Sequence, residues 1–340
     1  MLKSILSNIC NIFTMKDVKQ QQVEKTSIPK PEIGIAIFFD TNQLGERFTD
    51  EGSGNMLIHR IKASSTFYDI KKYLHTYGLL EHIQLFIPDI SLREYKRQAI
   101  EIYQEHTKSI EPKIDAYRKV FGDILSIDFH FRYNDLSEFD TYISSLIDTF
   151  LLENKCEIAY NSDKEQAFDR FVNKVINREA PFSEAHKNGK KYKDAGLKDA
   201  IIEDTITLYA ESTKRICILV SEDNDWGKCF KKDSSNIFVC KTTEQVVQIL
   251  NRSLGLSRED LIAKKILNNP YLKETAITMA SVKYEETAPC EILSIDEIPE
   301  DENFILRFKY ILDSQNYNIE CVYEESSNSI ISSDIVEDGE

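Results

Sequence analysis

Five carboxylates in this chain stand where a strand should end or a helix begin: Asp40, Glu94, Asp199, Asp223 and Asp225. Carboxylates gathered in one crevice repel one another, and such a cluster persists only when cations neutralise it. The six histidines show no zinc-ligand spacing and the seven cysteines form no Cys-x-x-Cys pair, so carboxylates are the expected ligands of any metal. Hard divalent ions, Mg2+ or Mn2+, suit all-oxygen ligands. Plainer roles stay open at each position. Asp40 and Asn42 could cap the next turn, Glu94 could be a solvated helix charge, and Asp199 could serve only the dipole of its helix.

The elements that would position these acids follow from apolar patterning. Ile33, Ile35, Ile37, Phe38 and Phe39 form a near-continuous run behind Pro31, which predicts a strand buried on both faces, as in a parallel sheet. The run stops at Asp40. In open parallel sheets the ligand crevice lies outside the carboxyl ends of the strands, so an acid there faces the crevice. A second strand is expected over 83–87, ended by Pro88, with Asp89 as cap of a helix that carries Arg93, Glu94, Lys96 and Arg97. A third run, 215–220, ends in Ser221-Glu222-Asp223-Asn224-Asp225-Trp226, and a final strand and helix are expected over 236–240 and 242–254.

Between these, a loop is expected over 47–55 and a helix over 56–77 with Gly78 at its C-terminus. Residues 100–191 read as a helical insertion, with helices over 103–125, 138–152 and 162–176. The last carries Ala167, Phe168, Phe171, Val172, Val175 and Ile176 on one stripe. A basic loop over 187–193 then leads into a helix with Asp199 in its first turn, Glu203 one turn on, and Asp204 facing away from Asp199.

A hydrophobic fraction of 41% and a charged fraction of 29% are those of a soluble globular chain. No apolar run approaches the roughly 18 residues that span a bilayer, so no membrane partner is expected. The scattered cysteines read as reduced thiols of a cytoplasmic protein. Residues 1–30 are expected to be a tail or docking helix, 31–255 one α/β domain, and 256–340 an accessory module. That module is expected to hold a helix over 259–267, broken at Asn269-Pro270, and three antiparallel strands over 290–295, 303–312 and 317–323. From Tyr284 onward sixteen acidic residues face only Arg307 and Lys309, so this end carries −14 of the net −15. The near-neutral remainder can still present a basic face to nucleic acid.

In order, Asp40-Thr41-Asn42, Glu94, Lys198-Asp199 and the Ser221 to Trp226 turn resemble the motif set of the PIN-domain nucleases. The resemblance spans about 32–254. It implies a three-layer α/β/α fold with a central parallel sheet, here with the helical insertion and a small acidic α+β module behind it. It also implies metal-dependent endonuclease activity, usually on RNA, with DNA as the second substrate class. Under that reading Asp40, Asp199 and Asp223 are principal ligands of Mg2+ or Mn2+, and Glu94 and Asp225 complete the site. Thr41, Asn42 and Ser221 hold those carboxylates. Arg93, Arg97, Lys190, Lys191, Lys193 and Lys198 meet the phosphate backbone. Glu203 or Glu222 could take the place of Glu94. A toxin-like or defence role is analogy to the family. A homo-oligomer and a regulatory partner docked on the acidic module stay open. Two rival functions remain: a non-catalytic nucleic-acid or protein-binding module on the same fold, and a phosphohydrolase with Asp40 as nucleophile.

Overall fold

The segment Ile35–Phe39 is buried at every residue, which the side-chain alternation of a strand permits only when both faces of its sheet are covered. The computed structural model describes residues 34–44, 61–121, 135–177, 179–182, 196–224, 226, 229–230, 236–298 and 303–337. Ile35–Phe39 is β1, the centre of a parallel sheet of order β3-β2-β1-β4-β5. Its neighbours are β2 (Ile83–Pro88) and β4 (Ile216–Val220), in register at Ile35↔Ile83 and Ile35↔Ile216; β3 (Cys156–Ala159) and β5 (Ile237–Cys240) form the edges.

The helices of this domain are α1 (Ser65–Thr76), α2 (Asp89–Phe121), α3 (Leu136–Asn154), α4 (Lys164–Asn177), α5 (Leu197–Thr213) and α6 (Thr243–Leu254). Ile35, Ile37 and Phe39 point to one face, where Phe67 and Leu74 of α1, Phe139 and Phe150 of α3 and Val246 and Leu250 of α6 cover them. Ala36 and Phe38 point to the other, under Ile202, Ile206 and Ala210 of α5 and the fully buried Trp226. The result is three layers, α/β/α. Each fully buried Phe or Ile contributes roughly 1.5–3 kcal/mol, so the central strand is where truncation costs most.

Several elements differ from the sequence expectation. The helix expected over 56–77 begins at Ser65 among the described residues, because the Ser64 side chain accepts from the Phe67 amide and caps it. It ends as expected: Gly78 adopts φ +61°, and the amides of Gly78 and Leu79 return to the carbonyls of His75 and Leu74. The two helices expected after Asp89 are one 33-residue helix, α2, which continues through Pro112. Strand β3 falls inside the stretch expected to be helical. It is four residues long with an exposed Glu157, too short to show a period of its own, and it extends the sheet through its pairing with β2.

The apolar stripe of α4 is the sharpest difference. Ala167 is buried, yet Phe168 and Ile176 are each 71% exposed and Val175 is 53% exposed.

The C-terminal module packs α7 (Arg258–Asn268) and α8 (Pro270–Met279) on an antiparallel sheet of order β6-β7-β8-β9. Its strands are Cys290–Ile298, Asn303–Leu312, Gln315–Glu324 and Ser329–Ile335, one more than expected. Asn269-Pro270 ends α7, and Asn269 also caps α8 by accepting from the amides of Tyr271 and Leu272. This module has its own core, with Phe304, Phe308, Ile319 and Tyr323 against Ile266, Leu272 and Ala276.

Candidate active site

Strand order β3-β2-β1-β4-β5 reverses direction between β1 and β4, and the carboxyl ends of those two strands open a crevice. Asp40 follows β1 directly and its amide donates to Val220 O at the end of β4 (3.1 Å). Ser221, anchored by its own amide to Cys240 O (3.0 Å), therefore lies beside Asp40. The Ser221 hydroxyl donates to Asp40 Oδ2 (2.7 Å), the Thr41 amide donates to Asp40 Oδ1 (2.6 Å), and Asn42 Nδ2 donates both to Asp40 Oδ2 (3.3 Å) and to Ser221 Oγ (3.0 Å). The amide of Asp223 in turn donates to Ser221 Oγ (3.3 Å), which ties the second acidic turn to the first.

Glu94 lies in the second turn of α2 and is reached from three elements. The Thr41 hydroxyl donates to Oε2 (2.8 Å), Gln98 Nε2 donates to Oε1 (2.7 Å), and Lys198 of α5 forms an ion pair with Oε1. Lys198 is placed by the start of α5. Gly196 there has φ +83°, and a Cβ on it would meet Pro181 at 3.2 Å, so a side chain at this position would be strained and crowded.

Burial raises the Asp40 pKa above its ordinary value. Hydrogen bonds from Ser221 and Thr41 oppose the rise, and the neighbouring charges of Asp223 and Glu94 add to it. These three acids are thus one electrostatic unit. No Lys or Arg among the described residues pairs with Asp40 itself. Asp223 is exposed on its loop. Asp199 is half-buried in the first turn of α5, next to the lysine that meets Glu94.

Other expected positions sit as follows. Glu203 is buried and ion-paired with Lys174 of α4, while Glu222 is exposed on its loop. Asp204 receives Arg170 Nε and Nη2 (2.7 Å each) and Asn161 Nδ2 (2.7 Å). Arg93 and Arg97 project from the exposed face of α2, paired with Asp89 (2.7 Å) and Glu101 (3.1 Å). Asp225, Lys190, Lys191 and Lys193 lie outside the described residues.

Two participants were not singled out from sequence. Gln43, fully buried, donates to Asn42 Oδ1 (3.0 Å) and accepts from the Ser64 hydroxyl (2.6 Å), so the Asp-Thr-Asn turn is braced from behind. Gln98 braces Glu94. The signal for Gln98 was its spacing four residues after Glu94 on a helix; Gln43 had none beyond adjacency.

Among the described residues, no three His, Cys, Asp or Glu side chains form a ready-made cage for a metal ion. The donor set is nonetheless all oxygen, partly solvated, and short of positive charge at its buried member. That fits Mg2+ or Mn2+, which keep several waters and need only one or two protein carboxylates. No helix among the described residues is long and apolar enough to cross a membrane.

Comparison with known proteins returned no match among curated proteins and none among solved structures. A family model described as a PIN domain matches residues 37–226, more than half of the chain and the stretch that carries Asp40, Glu94, Asp199 and Asp223. A PIN domain is a nuclease-like fold, in most members a metal-dependent nuclease of RNA or DNA. With the sheet, the switch-point crevice and its acids all inside the matched span, the chain belongs to the PIN-domain family.

Proposed function

We propose that this protein is a metal-dependent endonuclease that hydrolyses phosphodiester bonds in RNA. The observation that carries the reading is the state of Asp40. It is a buried carboxylate at the switch point, raised by burial and by Asp223 and Glu94, with no cation of the described chain upon it. Asp40, Asp199 and Asp223 would hold Mg2+ or Mn2+, with Glu94 and Asp225 completing the set. Bound there, the ion supplies Lewis-acid stabilisation of phosphoryl charge and lowers the pKa of a water.

The chain's own residues do the positioning. Ser221, Asn42 and the Thr41 amide fix both Asp40 oxygens, so the carboxylate presents one orientation. Thr41 holds Glu94 from the Asp40 side and Lys198 from the α5 side, which keeps Glu94 within the crevice. Arg93, Arg97, Lys190, Lys191, Lys193 and Lys198 would meet phosphates of the substrate. For Arg93 and Arg97 this costs little, since each would exchange an exposed pair on its own helix for a phosphate.

One observation favours a second reading. Glu94 is already engaged by three donors, as it would be in a fold that binds nucleic acid without cutting it.

Incubation of single-stranded and folded RNA, with parallel DNA, separates the two. The wild-type chain is expected to cut RNA in Mg2+ or Mn2+, to stop in chelator, and to lose cutting in Asp40→Asn. Binding without cutting under every metal condition would sink the nuclease and leave the binding module.

A further inference from the structure

Beside the acidic crevice lies a groove of about 420 Å³, within the roughly 300–1,000 Å³ of ordinary ligand sites. Phe168 and Phe171 of α4, Leu197 and Ile201 of α5, Ala159 at the end of β3 and Arg93 of α2 line it. Phe168 at 71% and Leu197 at 45% exposure are large apolar side chains left facing solvent, and with Val175 and Ile176 they extend the groove into an apolar surface along α4.

Three observations identify the occupant. The groove opens at the carboxyl ends of β2 and β3, through Asp89 and Asn161, the same end of the sheet as Asp40. It adjoins the crevice at the seam between α2 and α5: Arg93 and Leu197 line the groove, and their chain neighbours Glu94 and Lys198 form the ion pair beside Asp40. Its polar groups are already engaged. Asn161 donates to Asp204 and accepts from the Asp163 amide (3.1 Å), Thr205 Oγ1 donates to Ile201 O (2.7 Å), and Arg93 pairs with Asp89. Such a wall offers an aromatic face and apolar contact, with a cation at its rim, and little hydrogen-bond readout.

We infer that this groove receives an unpaired nucleobase of the substrate strand, stacked on Phe168, beside the phosphodiester that enters the acidic crevice. The inference rests on the nuclease reading and adds to it a preference for single strands with little discrimination among bases. Every base has a π-face, while a base within a duplex is already stacked and cannot enter.

The test is binding by the full chain in chelator, where cutting does not interfere. The probes are short single strands of RNA and of DNA, the same backbones without bases, and a blunt duplex. The expected result is binding of the base-bearing strand about tenfold tighter than its abasic counterpart. Phe168→Ala should lose that tenfold on the base-bearing strand alone, and Phe168→Trp should restore it. The RNA and DNA arms tell which sugar is accepted. Because Phe168 is mostly exposed, truncating it leaves the core intact.

Equal binding of duplex and single strand, or a Phe168→Ala chain that binds as wild type, overturns the groove while leaving cutting by Asp40 untouched. Failure of wild type to bind any of the probes overturns the groove, while the nuclease reading is judged separately by cutting in Mg2+ or Mn2+. A Phe168→Ala substitution that turns a dimer into monomers assigns this face to a second copy of the chain and overturns the nucleobase.

Discussion

Two acidic sites flank the N-terminal half of α5, and they are held by opposite means. On the crevice side Asp40 is 7% exposed and carries only neutral donors, with Asp223 and Glu94 pushing its pKa further up. On the α4 side Glu203 and Asp204 are equally buried, but Lys174 pairs with the first, and Arg170 grips both oxygens of the second while also binding Asp163 (2.7 Å). In return Asp204 and Asp163 hold the Arg170 guanidinium above its ordinary pKa. A buried charge matched by the chain itself is a structural joint, here between α4 and α5. A buried charge left unmatched is a demand for a cation from outside.

Asp40→Asn tests the contrast most severely. Under the proposed nuclease reading, loss of the Asp40 carboxylate should reduce cleavage about 10³-fold, the worth of several kcal/mol of metal assistance. The same substitution should raise the stability of the metal-free protein by about 1 kcal/mol at neutral pH, because it deletes a charge the fold does not match. The sign with pH follows. Below the ordinary value of 3.8 the acid is protonated whether folded or unfolded and costs nothing. As pH rises from there toward the elevated folded pKa, the unfolded chain ionises first and the native state loses stability relative to it. Thermal melts in chelator should therefore show Asp40→Asn gaining over wild type as pH rises, and converging with it near pH 4. A variant that is less stable than wild type at every pH would mean that Asp40 is matched after all.

Arg170→Met should do the reverse. With Asp204 left buried and unpaired, urea unfolding should show a loss of about 3 kcal/mol. The double change Arg170→Met with Asp204→Leu should recover most of it, since the joint is then apolar on both sides. If Arg170→Met alone is neutral, the α4 site is no joint and the contrast fails.

The sequence disclosed the crevice side of this comparison far better than the α4 side. Buried parallel strands are continuous apolar runs, so β1, β2 and β4 were legible, and each acid at a strand end came with its strand. The partners of those acids were partly legible: Thr41 and Ser221 sit within the motifs, whereas Lys198 was expected at phosphate and is found on Glu94. The α4 joint was not legible. Arg170 and Lys174 lie off the apolar stripe that runs from Ala167 to Ile176, and only the tertiary fold shows that they are turned inward onto Asp204 and Glu203 while Phe168 and Ile176 face out. Helical periodicity gives the faces of a helix and not which one meets the protein. Strand β3 was hidden for a related reason, since four residues carry too little pattern to outweigh the helices around them.

A smaller effect is expected at Ser221, which acts through Asp40. Ser221→Ala removes the donor to Oδ2 and the anchor of the Asp223 amide. Mn2+ affinity measured by titration should fall about 10- to 100-fold, the usual loss when a group behind a metal ligand is removed. Unchanged affinity would show that Asn42 and the Thr41 amide suffice to orient Asp40.

The smallest and most discriminating effect belongs to Lys198, which pairs with Glu94 from the α5 side. If Lys198 only offsets Glu94, the crevice is partly matched, and Lys198→Met should make it more anionic and bind Mn2+ about fivefold tighter, on the order of 1 kcal/mol. Glu94→Gln should weaken Mn2+ on the same scale, and the double variant should show the two changes coupled, since each acts through the other. If Lys198→Met instead weakens Mn2+, Lys198 holds Glu94 in position more than it cancels its charge. The crevice would then share with the α4 joint the use of a chain cation to set a carboxylate, and differ from it only at Asp40.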